Sequence, residues 1–175
     1  MYRPPSLTTS LLSLLMLASP AFADTPRAYP DTESRVGFDA VISLPTGTPA
    51  AVHSYGPAPS QFAELWLPAG AIEPAPVVVF VHGGCWLSEY SIAHTHALAT
   101  GLNLAGYAVW NIEYRRVGDP GGGWPGSLDD ILAAITLLYQ LQPDGVALQR
   151  LALAGHSAGG HLALLGRAAW VAFRL

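Results

Sequence analysis

Short apolar runs alternate with longer amphipathic stretches along the second half of the chain. Residues 77–81 (VVVFV) form a continuous β-branched and aromatic run, which is typical of a strand buried on both faces of a sheet. The other strand candidates in this half are residues 107–113 and 151–154. The helix candidates are residues 89–105, 127–142 and 158–172. This alternating order predicts a mostly parallel sheet with right-handed crossovers and flanking helices.

The segments before this half show a different pattern. Residues 36–44 (VGFDAVISL) and 62–67 (FAELWL) show partial alternation of apolar and polar residues, as half-buried strands do. Prolines and glycines mark the turns between them: Pro45, Gly47, Pro49, Gly56, Pro57 and Pro59. We therefore expect an antiparallel amino-terminal part joined to the parallel core.

Composition narrows the class of protein. The 175 residues are 51% hydrophobic and 11% charged, which excludes a disordered chain. The 12 acidic and 8 basic residues, all of the latter arginine, give a formal net charge of −4. This charge excludes a strong nucleic-acid binder and provides no polybasic segment for anionic lipids. The single cysteine, Cys85, cannot form an intrachain disulfide, and we expect it to be a small buried side chain.

Residues 1–23 have the pattern of a secretory signal peptide. Arg3 supplies the positive charge, residues 10–18 (SLLSLLMLA) form a short apolar segment, and residues 21–23 (AFA) provide a cleavage site. An uncleaved membrane anchor is the weaker alternative, because the apolar segment is far shorter than the ~20 residues that a bilayer needs.

The rest of the chain is predicted to be one domain. We expect cleavage after Ala23, a loose leader over residues 24–35 and the domain over residues 36–175. No later segment reaches spanning length, so we expect no membrane span after cleavage and a periplasmic or secreted location.

Residues 155–159 (GHSAG) match the G-x-S-x-G pattern of a nucleophilic serine on a sharp strand-to-helix turn. A strand is predicted before this pattern and a helix after it, as the turn requires. The two glycines fit because only small residues at these positions let the turn close. The turn would place the Ser157 hydroxyl at the amino end of a helix, where backbone N–H groups favour developing negative charge. A glycine-rich turn with an incidental serine is the alternative.

Residues 82–86 (HGGCW) follow directly on the VVVFV strand. Two glycines after a strand let the backbone approach a substrate and turn its N–H groups toward it. Attack of Ser157 on an ester would create an oxyanion that needs donors at about 3 Å. The predicted donors are the N–H groups of Gly83, Gly84 and Ala158. His82 would brace the loop and Trp86 would form a wall of the pocket; a Gly-Gly turn beside a buried tryptophan is the alternative.

Three segments together resemble the amino-terminal half of an α/β-hydrolase: VHGGCW, EYRRVGDPGGGWPGSLDD and GHSAGGHLAL. The resemblance covers roughly residues 36–167. It is to the esterase/lipase group with an HGGxW or HGGG oxyanion motif, which includes carboxylesterases, feruloyl-esterase-like enzymes and kynurenine-formamidase-like enzymes.

This resemblance implies an α/β fold and a serine hydrolase with Ser157 as nucleophile and Gly83, Gly84 and Ala158 as the oxyanion hole. It implies an acyl-serine mechanism on a small-molecule ester, or on an amide such as an arylformamide, without a metal or an organic cofactor. It also implies that residues 113–115 (EYR) brace the site.

The catalytic triad of such enzymes runs in the order Ser, Asp or Glu, His. After Ser157 the chain has no Asp or Glu, and its only histidine is His161, for which we expect a structural role, as for His156. We therefore expect a C-terminally truncated hydrolase with an incomplete sheet and little activity alone, because a serine is a poor nucleophile without a base. A non-catalytic ligand-binding or partner-completed module is the alternative. The sequence predicts no particular oligomeric state.

Overall fold

The computed structural model of the protein describes residues 37–172. Its strands are β1 (Ala51–Ser54), β2 (Phe62–Trp66), β3 (Ala75–Val81), β4 (Ala108–Ile112) and β5 (Val146–Gly155). Its helices are α1 (Phe38–Ile42), α2 (His96–Leu104), α3 (Gly126–Leu141) and α4 (Ala158–Ala172), and a 3₁₀ turn at Ile92–Thr95 leads into α2. The predicted signal peptide and leader lie outside the described residues.

The five strands form one mixed sheet in the order β1-β2-β4-β3-β5. β1 pairs with β2, and β2 with β4, in antiparallel fashion. β3 lies parallel to β4 on one side and to β5 on the other. The predicted parallel core with an antiparallel amino-terminal part is therefore confirmed. It brings the carboxyl ends of β3 and β5 side by side, with Val81 opposite Gly155.

Helices cover both faces of the sheet. Val77, Val79 and Val81 of β3 belong to a large buried cluster that also contains residues of α3 and α4. Phe80 belongs to a smaller cluster on the other face, with Ala99 of α2. β3 is thus buried on both faces, as its unbroken apolar run predicts.

The predicted strand at residues 36–44 is wrong. Phe38–Ile42 form the short helix α1, in which no residue is buried. The helix places the Phe38 ring 6.0 Å from the ring of Tyr90 and 5.9 Å from that of His94, centroid to centroid. The antiparallel partner of β2 is instead β1, in a stretch whose many prolines and glycines predicted only turns.

The remaining elements are confirmed, α4 with the predicted ends and the others with different ends. The helix predicted over residues 89–105 begins only at the 3₁₀ turn, and the strand predicted over residues 151–154 is the second half of the ten-residue β5. The register of β5 against β3 shifts between Pro76 and Val77, whose partners Ala147 and Leu151 are separated by three residues of β5. Within the described residues β5 forms an edge of the sheet, and none of the described helices is long and apolar enough to cross a bilayer.

Candidate active site

Ser157 lies on a strained turn between β5 and α4. Its φ of +53° falls in the left-handed region, which L-residues rarely adopt. The turn is closed by close backbone packing: a Cβ on Gly159 would lie 2.1 Å from the carbonyl oxygen of Val81 and 2.3 Å from that of His82. A Cβ on Gly155 would lie 2.4 Å from the carbonyl oxygen of Gly159. The spacing of the two glycines around Ser157 therefore follows from steric contact with β3 and within the turn.

The loop after β3 lies directly against this turn. A Cβ on Gly83 would lie 3.2 Å from the Cβ of Ser157 and 2.8 Å from both Nδ1 and the carbonyl oxygen of His156. Gly84 has a φ of +113°, and a Cβ there would lie 2.4 Å from the Cβ of Tyr90. Only glycine fits these two positions, because Gly83 packs against the nucleophile turn and Gly84 combines a positive φ with close packing against Tyr90.

The N–H groups of Gly83, Gly84 and Ala158 donate no hydrogen bond to another residue within 37–172. Ala158 is the first residue of α4, so its N–H has no partner in the helix. The structure thus brings Ser157 together with the diglycine loop, and the described part of the chain leaves the three predicted donors without an acceptor.

His82 ties this loop to β4. Its ring is fully buried, with Nε2 2.8 Å from Oε1 of Glu113 and Nδ1 2.7 Å from the carbonyl oxygen of Gly83. The ring stacks on that of Tyr114 at 4.4 Å, and the Tyr114 hydroxyl donates to the carbonyl oxygen of His82 at 3.0 Å. Burial and the charge of Glu113 raise the pKa of Tyr114, which therefore stays a neutral donor.

The two arginines after Tyr114 form ion pairs, Arg115 with α3 and Arg116 with the glycine-rich loop, which comprises residues 118–126. Arg115 forms hydrogen bonds with both carboxylate oxygens of the buried Asp130, at 2.7–3.2 Å, and these bonds raise its pKa. Arg116 binds Asp119 through Nε at 3.1 Å and donates to the carbonyl oxygen of Tyr90. The segment from Glu113 to Arg116 thus fixes its surroundings through charge-assisted bonds.

A pocket of about 230 Å³ opens beside the diglycine loop. Its walls are mostly apolar and include Cys85, Trp86, Val117, Trp124, Leu128, His161 and Leu162. The rings of Trp86 and His161 meet edge to face at 5.7 Å. Cys85 is exposed, so the prediction of a buried cysteine is wrong: its φ of +53° turns the loop outward directly after Gly84.

Residues 63–170 match the BD-FAE family model. The chain belongs to the BD-FAE family. The matched range contains the diglycine loop, the segment from Glu113 to Arg116 and the turn at Ser157.

Curated relatives of this BD-FAE family member are named as esterases. Esterase LipC of Mycobacterium tuberculosis is 33% identical over 116 residues, which are 63% of this chain and 28% of that protein. Probable isoprenylcysteine alpha-carbonyl methylesterase ICMEL1 of Arabidopsis thaliana is 33% identical over 115 residues, or 62% of this chain and 22% of that protein. The chain spans less than a third of the length of these two relatives.

Solved structures of esterases share the fold. Esterase B from Lactobacillus rhamnosis superposes with a TM-score of 0.62 at 30% identity, over 74% of this chain and 42% of that chain. A bacterial heroin esterase gives a TM-score of 0.54 at 28% identity, over 61% of this chain and 35% of that chain. The predicted α/β-hydrolase fold and the predicted relation to esterases are confirmed.

The structure also places the histidines of this BD-FAE domain. The backbone N–H of His161 donates to the carbonyl oxygen of Ser157 at 3.2 Å, as a helical residue does, while its ring faces Trp86. His94, which the sequence did not single out, lies with its ring edge-on to His82 at 5.5 Å. Among residues 37–172 no group of three or more His, Cys, Asp or Glu side chains is arranged to hold a metal ion.

Sequence reasoning also missed Trp124 as a pocket residue. Its side chain is 74% exposed on the glycine-rich loop, and it lines the pocket with Trp86. The sequence signal that could have identified Trp124 is a large aromatic residue within a loop rich in glycine.

Proposed function

We propose that this domain provides the nucleophile and the oxyanion hole of a serine esterase that acts on small-molecule carboxylic esters. The observation that carries the proposal is the left-handed backbone of Ser157 at the start of α4, in contact with the diglycine loop. Membership of the BD-FAE family and the names of the relatives support an ester over another acyl compound.

In the proposed mechanism the Ser157 oxygen attacks the ester carbonyl carbon. The carbonyl oxygen becomes negatively charged and accepts hydrogen bonds from the N–H groups of Gly83, Gly84 and Ala158. The tetrahedral intermediate collapses with loss of the alcohol, which leaves an acyl group on Ser157. Water then adds to this acyl-serine and releases the acid.

The proton of Ser157 needs an acceptor for this reaction to be fast. The ring of His82 is committed to Glu113 and Gly83, and that of His161 faces Trp86. Because these contacts engage both rings, we expect neither to act as the base of Ser157. We therefore expect weak turnover by the 175-residue polypeptide; in a well-studied serine protease, loss of the base alone costs ~10⁶ in turnover.

Chemical rescue tests the proposal. Imidazole added to the purified chain is expected to accelerate acetyl transfer from p-nitrophenyl acetate to Ser157, since a general base contributes roughly 10²–10⁴-fold. The readouts are p-nitrophenol release above the rate without protein, and an acetyl group on the peptide that contains Ser157, found by mass spectrometry.

Three variants give the controls. Ser157→Ala should abolish the rescued rate and the acetyl-peptide, while Ser54→Ala, at an exposed serine at the end of β1, should leave both unchanged. His161→Ala should also retain the rescue if that residue is structural. Equal rescue in wild type and Ser157→Ala would exclude Ser157 as nucleophile. A ligand-dependent rise in melting temperature without any acylation would favour a binding module.

A further inference from the structure

Both ring nitrogens of His82 face hydrogen-bond acceptors. Nδ1 lies 2.7 Å from the carbonyl oxygen of Gly83, and Nε2 lies 2.8 Å from Oε1 of Glu113. A neutral imidazole has one N–H donor and one acceptor nitrogen, so it satisfies only one of these contacts unless the partner brings a proton. A carbonyl oxygen brings none, so Glu113 is the partner that could supply the proton.

Glu113 is surrounded by donors that favour an ionised carboxylate. Its Oε2 accepts from the N–H of Ile92 at 2.8 Å, and its Oε1 accepts from the N–H of Tyr114 at 3.0 Å. The guanidinium of Arg116 lies 3.3 Å from the same Oε1. The two donors aimed at Oε1, one of them a guanidinium, favour the ionised carboxylate, which has no proton to donate to His82.

We propose that His82 is held as a doubly protonated imidazolium beneath the diglycine loop, and that its Nδ1–H polarises the Gly83–Gly84 peptide. The imidazolium donates from both nitrogens, which satisfies both short contacts. His82 is therefore a positioning residue, which acts on the oxyanion hole through a peptide group.

Charge balance within the buried cluster supports this state. Glu113 and Asp119 each contribute one negative charge, and Arg116, which is in ion-pair distance of both, contributes one positive charge. The side chains of His82, Glu113 and Arg116 are 0%, 3% and 9% exposed. A positive charge on His82, together with that of Arg116, balances the two carboxylates, of which the fully buried one is Glu113; the side chain of Asp119 is 23% exposed and its charge is partly screened by solvent.

The groups packed against His82 bring no competing charge. The ring of Tyr114, whose pKa is raised by burial, stacks on the imidazole at 4.4 Å, and an aromatic face favours a cation. Burial and the neighbouring His82 lower the pKa of His94, so its edge-on ring stays neutral. His156 lies across Gly83, with Nδ1 2.8 Å from where a Cβ on that glycine would be.

A charged His82 affects the oxyanion hole because it donates to a peptide group that also carries one of the proposed oxyanion donors. The carbonyl of Gly83 and the N–H of Gly84 belong to the same amide, so a charged donor on the oxygen strengthens the N–H as a donor. The Gly84 N–H is one of the proposed oxyanion donors. This last step depends on the proposed function, whereas the protonation of His82 does not.

Nitrogen-15 NMR of the full-length chain, with isotope-labelled histidines, tests the protonation of His82 directly. Both ring nitrogens of His82 are expected to give signals of the protonated type at neutral pH, because each donates a hydrogen bond in the proposed state. A signal of the unprotonated type at either nitrogen at neutral pH would overturn the proposal.

Two variants make the test specific. Glu113→Gln replaces the carboxylate by a neutral amide, and one nitrogen of His82 is then expected to become unprotonated at neutral pH. Glu64→Gln alters another buried carboxylate that binds a histidine, His96, and should leave both His82 signals unchanged. Retention of two protons in Glu113→Gln would contradict the pairing.

The NMR experiment and the rescue experiment test the two proposals independently of each other. Loss of acylation at Ser157 with an imidazolium at His82 would contradict only the proposed function. Acylation at Ser157 with a neutral His82 would contradict only the polarised peptide.

Discussion

Gly159 shows how one missing side chain fixes the nucleophile turn. A Cβ at this position would overlap the backbone carbonyl oxygens of Val81 and His82, and neither can move without displacing the end of β3. Those two residues lead into the diglycine loop. The absence of a methyl group at Gly159 therefore sets the distance between the nucleophile turn and the oxyanion donors.

We expect Gly159→Ala to destabilise the protein by about 1–3 kcal/mol, as overpacking of a close contact does. The measurement is the free energy of unfolding in urea. Gly101→Ala is the matched control, because Gly101 is also helical and has no atom within 4 Å of the added Cβ. That control should gain up to about 1 kcal/mol. A stability gain in both variants would contradict the steric account.

Some features of single residues could be predicted from the sequence, and others could not. The G-x-S-x-G spacing predicted the turn because the turn needs small residues at both positions: Gly155 packs against Gly159 within the motif, and Gly159 packs against the end of β3. The exposure of Cys85 and the position of Trp124 depend on how two loops meet at the pocket. Asp130 is buried against Arg115, fifteen residues earlier in the chain, and this contact also depends on how separate segments meet.

At the scale of elements, Glu64 joins β2 to β4 and α2. Its carboxylate accepts from Nδ2 of Asn111 at 3.4 Å, from Nε1 of Trp66 at 3.2 Å, and contacts Nε2 of His96 at 3.1 Å. Burial alone would raise the pKa of Glu64, but these hydrogen bonds and the charge of His96 lower it below its usual value. The ionised carboxylate therefore holds three elements together.

This lowered pKa predicts a pH dependence of stability. A carboxyl group whose pKa is lower in the folded state stabilises the fold above its unfolded pKa, and the contribution is lost as the pH falls through the folded value. We expect wild type to exceed Glu64→Gln by about 1–3 kcal/mol at neutral pH and the difference to shrink below about pH 4.5. Urea unfolding at several pH values measures it.

Glu73→Gln, at an exposed carboxylate, should show no such pH-dependent difference from wild type. A difference between wild type and Glu64→Gln that stayed constant down to about pH 3 would show that Glu64 is not ionised in the folded protein.

The elements that the sequence predicted well are those with strong internal patterns. β3 is an unbroken apolar run, and α3 keeps helical spacing over its whole length. β1 has only four residues between prolines and glycines, and pairing with β2 alone makes it a strand. The first half of β5 contains exposed polar residues, and its pairing with β3 resumes only after a register shift.

At the scale of the whole molecule, the strands of the sheet differ in how many neighbouring strands they pair with. β3 and β4 have partners on both sides, whereas β5 pairs only with β3 within the described residues. The Ser157 turn follows directly on β5, so within residues 37–172 the strand that carries the nucleophile lies at an edge of the sheet. An unprotected edge offers unpaired N–H and C=O groups to a second chain.

We expect the chain to self-associate through this edge of β5. Ala152, exposed in the middle of the second half of β5 and opposite Val78 of β3, is the position to change. Ala152→Lys should reduce association, because lysine on an edge strand disfavours the approach of another strand. Sedimentation velocity over a roughly tenfold range of concentration measures the effect, since association depends on mass action.

Leu104→Lys distinguishes edge pairing from general surface hydrophobicity. Leu104, at the end of α2, is 86% exposed, so its replacement removes a larger apolar surface than the change at Ala152. If β5 pairs with a second copy, Ala152→Lys lowers the associated fraction and Leu104→Lys leaves it near the wild-type value. If both substitutions lower it equally, exposed apolar side chains drive association. A chain that stays monomeric at every concentration would mean that the edge of β5 is covered.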